Sequence, residues 1–164
     1  MAKVTFMFWN LNKRPLLELV NVLAREHRVD VLMLVECDLS VVSLLEALNT
    51  DEDNQFTLFP SLSEYVTILG RFPQDSLHLV RDTGRIAVRR LVPPIGVDVL
   101  LMVVHLPSKM HQRDPDQTQN CMQIIRFVEE AERKYGHTRT IVCGDFNMDP
   151  LRMALWEQWA FMRS

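Results

Sequence analysis

The sequence predicts an α/β fold, a mixed β-sheet flanked by helices, in one domain over residues 1–164. Three observations carry this. The chain opens with apolar strands alternating with helix-spaced segments, its middle is a run of short strands cut by turn residues, and a long polar-faced helix then leads into a last short strand. With 164 residues, 48% of them apolar and 24% charged, the chain is long enough to bury a real core.

Val4 to Trp9 is rich in β-branched and aromatic residues and predicts a strand. Asn10-Leu11-Asn12-Lys13-Arg14-Pro15 breaks it, and Pro15 suits an early helix position. Leu16, Leu17, Leu19, Val20 and Leu23 fall at helical spacing, which predicts a helix to about His27. Val29 to Val35 is apolar apart from Asp30 and predicts a buried, parallel strand. Ser40 then suits the N-cap of a helix carrying Val41, Val42, Leu44, Leu45 and Leu48.

From residue 51 the texture changes. Strands are predicted at Phe56–Phe59, Tyr65–Leu69, Leu77–Val80 and Ile86–Leu91, with a hairpin turn at Asp82-Thr83-Gly84. Pro93 to Gly96 is a connector before a strongly apolar strand at Val97–Val104. The polar loop Pro107–Asp116 leads to a helix from about Gln117 to Tyr135, which Gly136 would close at C′. Thr140–Cys143 predicts the last strand, followed by Gly144-Asp145-Phe146-Asn147-Met148-Asp149-Pro150 and a short helix to about Trp159.

Charge and cysteines narrow the class. A formal charge of −3 gives no general attraction to nucleic acid, although a local basic patch could still bind phosphates. Cys37, Cys121 and Cys143 are odd in number and form no CxxC pair, which argues against a disulfide framework or a structural zinc site. Cys37 and Cys143 lie in apolar stretches expected to be buried. The start of the chain lacks the long apolar core and cleavage site of a signal peptide, and no apolar run approaches the length of a membrane span. These features lead us to expect a cytoplasmic protein.

Four polar clusters each follow a predicted apolar strand: Asn10 with Asn12, Glu36 with Asp38, His105 with Ser108 and Lys109, and Asp145 with Asn147. Strand carboxyl ends are where α/β proteins place ligands. If these strands lie side by side in one direction, the clusters meet at one edge of the sheet. Singly, each has a plain explanation. Asn10 and Asn12 are turn formers, Glu36 a cap or surface carboxylate, His105 a hydrogen-bonded structural residue, and Asp145 with Asn147 an Asx turn.

Together, and in this order, Trp9-Asn10-Leu11-Asn12, Val35-Glu36, His105-Leu106-Pro107-Ser108-Lys109 and Gly144-Asp145-Phe146-Asn147-Met148-Asp149-Pro150 resemble successive motifs of the endonuclease/exonuclease/phosphatase superfamily. The resemblance runs from Val4 to about Pro150 and implies the first part of a two-sheet α/β/β/α sandwich. It implies a Mg²⁺-dependent phosphoesterase, with Mn²⁺ as the alternative metal. Glu36 would be the main metal ligand, completed or oriented by Asn12, since a hard cation prefers oxygen donors and keeps several waters. Asn10 would hold a carboxylate or the phosphate. Asp145 would orient or deprotonate the attacking water, Asn147 would donate to a non-bridging phosphate oxygen, and His105 to the phosphate or leaving oxygen. For Lys109 a solvated surface role is expected ahead of a phosphate contact.

The superfamily's chain continues past the GDFN loop into further strands and a terminal Asp–His motif. Here no Asp-His or Glu-His dipeptide follows residue 147, and no histidine follows His137. The expectation is therefore low turnover, and an apolar inner sheet face left exposed for want of its partner sheet. Either a missing C-terminal half or a symmetric homodimer would cover such a face. A phosphoester substrate is implied, with nucleic acid, phospholipid and inositol phosphates all compatible with the composition. The alternatives are a relative that binds a partner or phosphate without turnover, and a flavodoxin-like binding domain. The hairpin-rich middle from residue 56 to 91 argues against the last.

Overall fold

The computed structural model describes residues 3–50, 55–108 and 114–147. Lys109, Asp149 and the helix expected to reach Trp159 lie outside them. The eight described strands form two four-stranded sheets, as the resemblance to a two-sheet sandwich implies. The first contains β1 (Phe6–Asn10), β2 (Val31–Val35), β3 (Thr57–Phe59) and β4 (Val66–Gly70), in the order β1-β2-β4-β3. The second contains β5 (Leu77–Asp82), β6 (Ile86–Leu91), β7 (Val99–His105) and β8 (Thr140–Asp145), in sequence order. Each sheet has one parallel pair, β1 with β2 and β7 with β8, and antiparallel pairs elsewhere. Three helices complete the described fold: α1 (Leu17–Glu26), α2 (Val41–Leu48) and α3 (Asp114–Tyr135).

Strand periodicity explains the layering. Side chains alternate across a strand, so Leu32 and Leu34 of β2 pack with Val20, Ala24, Leu44 and Leu48 of α1 and α2. Val31, Met33 and Val35 face the other sheet, where Leu101 and Val103 of β7 meet them. Leu100, Met102 and Val104 turn the opposite way, onto Ile124, Phe127 and Val128 of α3. The order is helices, sheet, sheet, helix. Both faces of β2 and β7 are covered, which is why these strands read as continuous apolar runs.

Two expectations change accordingly. The four clusters do not share one sheet edge, because their strands divide into two parallel pairs on two sheets. Nor is the inner face of the first sheet bare. Its Val31, Met33 and Ile68 pack against Leu77, Leu91 and Leu101 of the second. Of the hairpins in the middle region, β3–β4 extends the first layer and β5–β6 begins the second.

Local signals place the elements. Ser40 caps α2, its hydroxyl accepting from the amide of Ser43 at 3.0 Å. Gly136 closes α3 with φ +70°, its amide bonded to the carbonyl of Glu132. Cys121 is buried, while Cys37 and Cys143 are half-buried, less enclosed than their apolar flanks suggested.

Candidate active site

β1 and β2 run parallel, so Asn10 stands opposite Val35, next to Glu36. β7 and β8 are also parallel, and His105 stands opposite Asp145. The ends of these two pairs face each other across the sandwich. The amide nitrogen of Asn10 joins them, donating to Asp145 Oδ2 at 2.8 Å and to Glu36 Oε1 at 3.4 Å. His105 Nε2 lies 3.0 Å from the same Glu36 oxygen, in a residue only 4% exposed. The four clusters thus meet at one end of the molecule, drawn from both sheets.

They line an open cleft of about 660 Å³, whose walls include Asn10, Asn12, Glu36, His105, Asp145 and Asn147. Arg85, in the β5–β6 turn, is the cation on that lining among the described residues. Asp145 Oδ1 accepts from the amide of Asn147 at 3.0 Å, and Asn10 Oδ1 from the amide of Asn12 at 2.8 Å. Both are Asx turns, so the plain explanation of these residues is also present. Each turn leaves the other end of its side chain facing across the site. The Asn147 carboxamide nitrogen donates to the carbonyl of Leu106 at 2.8 Å, which ties the β7 and β8 loops together.

Backbone conformation sets the site apart. Among the described residues five non-glycines have positive φ, and four of them, Asn12, Lys13, Glu36 and Asn147, lie in these loops. Glu36 has φ +48°, a costly conformation for a glutamate, and such departures cluster where a structure must aim a side chain. Gly144 serves another need: a Cβ there would fall 2.0 Å from the carbonyl oxygen of Val104. Only glycine lets β8 approach β7 closely at this point.

The donor set suits a hard divalent cation. Glu36 offers a carboxylate whose Oε2 makes no hydrogen bond among the described residues, and the exposed Asn12 offers a carboxamide oxygen on the same cleft. One or two carboxylates, with water filling the other positions, is the usual Mg²⁺ pattern. Among the described residues no group of three His, Cys, Asp or Glu gathers that could hold a metal ion, so a cation here would rest on one or two protein ligands and water. The nearby thiols are not nucleophiles. Burial pushes Cys143 up to about 11 and raises Cys37 as well, so both are neutral near pH 7.

Arg85, on the cleft lining, and Tyr65 beside it lacked any motif in the sequence. The Arg85 guanidinium stacks 4.1 Å from the Tyr65 ring, which lies 5.7 Å from the His105 ring. Their nearest sequence signal is position: Tyr65 opens the segment leading into β4, and Arg85 sits in a hairpin turn. Asp38, grouped with Glu36 in the sequence, is exposed and absent from the cleft lining.

The same architecture occurs in several solved structures. D. rerio TDP2, in a complex with single strand DNA product, superposes with a TM-score of 0.60 at 15% identity, over 94% of this chain and 64% of that one. A β-hairpin deletion mutant of beta toxin from Staphylococcus aureus gives a TM-score of 0.63 at 12% identity, over 92% of this chain and 69% of that one. The human Nocturnin catalytic domain, with bound sulfate anion, gives 0.56 at 20% identity, over 90% and 66%. At such identities the likeness is one of fold. The chain spans just under two thirds of the length of the D. rerio TDP2 structures, 64–65%. No curated protein matches the sequence. The sequence profile of one family does match, over residues 7–159, nearly the whole chain: by that measure the chain belongs to the Endonuclease/Exonuclease/phosphatase family.

Proposed function

We propose that this chain is the larger part of a Mg²⁺-dependent phosphoester hydrolase acting on phosphodiesters, with nucleic acid as the leading substrate class. The observation that carries it is the convergence of Glu36, Asn10, Asp145, His105 and Asn147 at one cleft from the two parallel strand pairs. The DNA product in the TDP2 complex supports the choice of substrate. Glu36 and Asn12 would hold the metal, which when bound would polarise the phosphoryl group and stabilise the leaving oxygen. Asp145 orients the attacking water and takes its proton on a carboxylate oxygen, while the Asn10 amide keeps that carboxylate facing Glu36. Asn147 donates to a non-bridging oxygen once its bond to Leu106 is exchanged for the substrate. His105 acts on Glu36: its Nε2 contact fixes the carboxylate that the strained backbone presents. A donor role toward substrate would require that contact to break.

A second reading has an observation of its own. Half-buried β1 and β8 flank the site, and each has a strand partner on one side only among the described residues. We propose that further polypeptide, from a C-terminal half or from a second copy, completes this flank. Without it the chain would bind phosphate with little turnover.

Hydrolysis of bis-p-nitrophenyl phosphate and of a supercoiled plasmid tests both. Mg²⁺-dependent cleavage that chelation abolishes, and that Glu36→Ala and Asp145→Ala each reduce by about 10²-fold or more, is the expected result. Cleavage equal in wild type and both variants would refute the assigned roles. No cleavage, with Mg²⁺-dependent phosphate binding retained, would favour the incomplete site.

A further inference from the structure

An arginine lies where the fold calls for an apolar side chain. In β6, Ile86 and Val88 face α3, while Ala87 and Leu91 face the other sheet. By alternation Arg89 also points between the sheets, and it is 1% exposed. Its partner is Asp82, the last residue of β5, whose side chain is wholly buried. Two guanidinium nitrogens meet the two carboxylate oxygens, with Nη2 to Oδ2 at 2.9 Å. A buried ion pair adds little stability compared with apolar residues of the same shape, so its remaining hydrogen bonds indicate its use.

Apart from one bond within β6, from Arg89 Nη1 to the carbonyl of Val88 at 3.0 Å, those bonds run to a single loop. Arg89 Nη2 donates to the carbonyl of Pro60 at 2.9 Å. Asp82 Oδ2 accepts from the amide of Leu62 at 2.8 Å and the hydroxyl of Ser61 at 3.2 Å. The buried hydroxyl of Ser63 donates to the carbonyl of Gly84 at 3.0 Å. The 60–65 loop of the first sheet is thereby stitched to the β5–β6 hairpin of the second, at the site end of both. The loop ends in Tyr65, against Arg85 and His105, and the Arg85 carbonyl accepts from the His105 amide at 2.9 Å.

We propose that Asp82 and Arg89 are positioning residues. Buried between the sheets, they hold the closed flank of the cleft so that Tyr65 and Arg85 stay against His105, and through it against the carboxylate of Glu36. The flank then presents the charge of Arg85 to an anionic phosphate group, the one part of the inference that rests on the phosphoesterase reading.

The test uses isotope-labelled full chain and the His105 ring resonances, which feel the ring current of Tyr65. Tyr65→Leu identifies that contribution. The paired variant Asp82→Leu with Arg89→Met replaces the ions by apolar residues, and Ser61→Ala with Ser63→Ala removes two stitches while leaving the ion pair. In the ion-pair variant the slow amide exchange of β2 and β7 is expected to persist, showing that the fold is intact. The His105 ring-current shift and the protection of the Leu62 amide are expected to be lost, and the shift that inorganic phosphate induces at the Arg85 Nε–H to weaken. The serine variant should move the same signals less; if the ion-pair variant does not fold, Arg89→Lys, which keeps the charge but cannot span both Asp82 oxygens and the Pro60 carbonyl, decides in its place. An unchanged His105 shift with unchanged Leu62 protection overturns the proposal. Neither readout needs metal or turnover, so loss of both signals in a chain that hydrolyses nothing supports the positioning role while the phosphoesterase reading fails.

Discussion

One added carbon at Gly144 should disturb the site more than any change in a surface side chain. An alanine there would place its Cβ 2.0 Å from the oxygen, 2.7 Å from the carbon and 2.8 Å from the nitrogen of Val104. All three are backbone atoms of a central strand, so β8 must move away from β7. Overpacking of this kind costs about 1–3 kcal/mol, and the displaced residue next in line is Asp145. Gly144→Ala is therefore expected to lower the urea midpoint and to weaken Mg²⁺-dependent hydrolysis together, whereas Gly84→Ala, with open space around it, should change neither. Unchanged stability in Gly144→Ala would mean that the close approach is not maintained in solution. At this scale much of the site was legible in the sequence, because Asn10, Glu36, His105 and Asp145 each end an apolar run. What sequence could not convey is which atoms meet. Asn10 bridges to Asp145 across 135 positions. Arg89, a charged residue on the inner face of an apolar strand, was a visible break in pattern, but its partner could be found only once the second sheet was known.

Among elements, the end of the second sheet away from the site is held by charge. Asp98, just before β7, accepts from Arg90 Nε of β6 at 2.8 Å and from Arg139 Nη2, just before β8, at 2.7 Å, and lies 3.1 Å from His137 Nε2. The hydrogen bond from Arg90, then that from Arg139, holds its carboxyl well below the usual carboxylate range. A depressed folded-state pKa gives stability that is present above the unfolded value and lost as pH falls toward the folded one. This clamp should thus hold at neutral pH and weaken progressively below about pH 4. Since Arg139 is 45% exposed, Asp98→Asn should cost only about 1 kcal/mol at pH 7. The same variant should lose less stability than wild type between pH 4 and 2, measured by urea unfolding at each pH. Equal acid sensitivity of the two proteins would count against the clamp. Most elements here were readable from local signals: Ile86–Leu91 matches its predicted bounds, and the Ser40 cap and the Gly136 stop mark the ends of α2 and α3. Sheet membership was not readable. A buried parallel strand has the same apolar texture in either sheet, and its partner is chosen by packing between distant segments.

For the molecule as a whole, the four sheet edges are treated differently. β3 is only three residues long, and β5 carries exposed His78 and Arg81 with a register shift between Leu79 and Arg81, all devices that discourage further pairing. Among the described residues β1 and β8 have no such protection. Phe6 to Trp9 and Ile141 to Cys143 are uncharged, half-buried and bonded on one side only among the described residues. Asn10 and Asp145 terminate these same two strands, so whatever covers them also closes the second flank of the cleft. In a second copy related by a twofold axis along the sheet normal, β1 would pair antiparallel with its counterpart, and β8 with its own, extending both sheets at once. The expected outcome is concentration-dependent association, with sedimentation rising above the monomer mass while amide exchange slows in β1 and β8 and stays constant in β3 and β5. Monomers at every concentration, with fast exchange along β1 and β8, would exclude a second copy and leave a different polypeptide as the missing flank. Slow exchange in a dilute monomer would refute the open edge itself, because amides without a partner cannot be protected by a sheet that ends there.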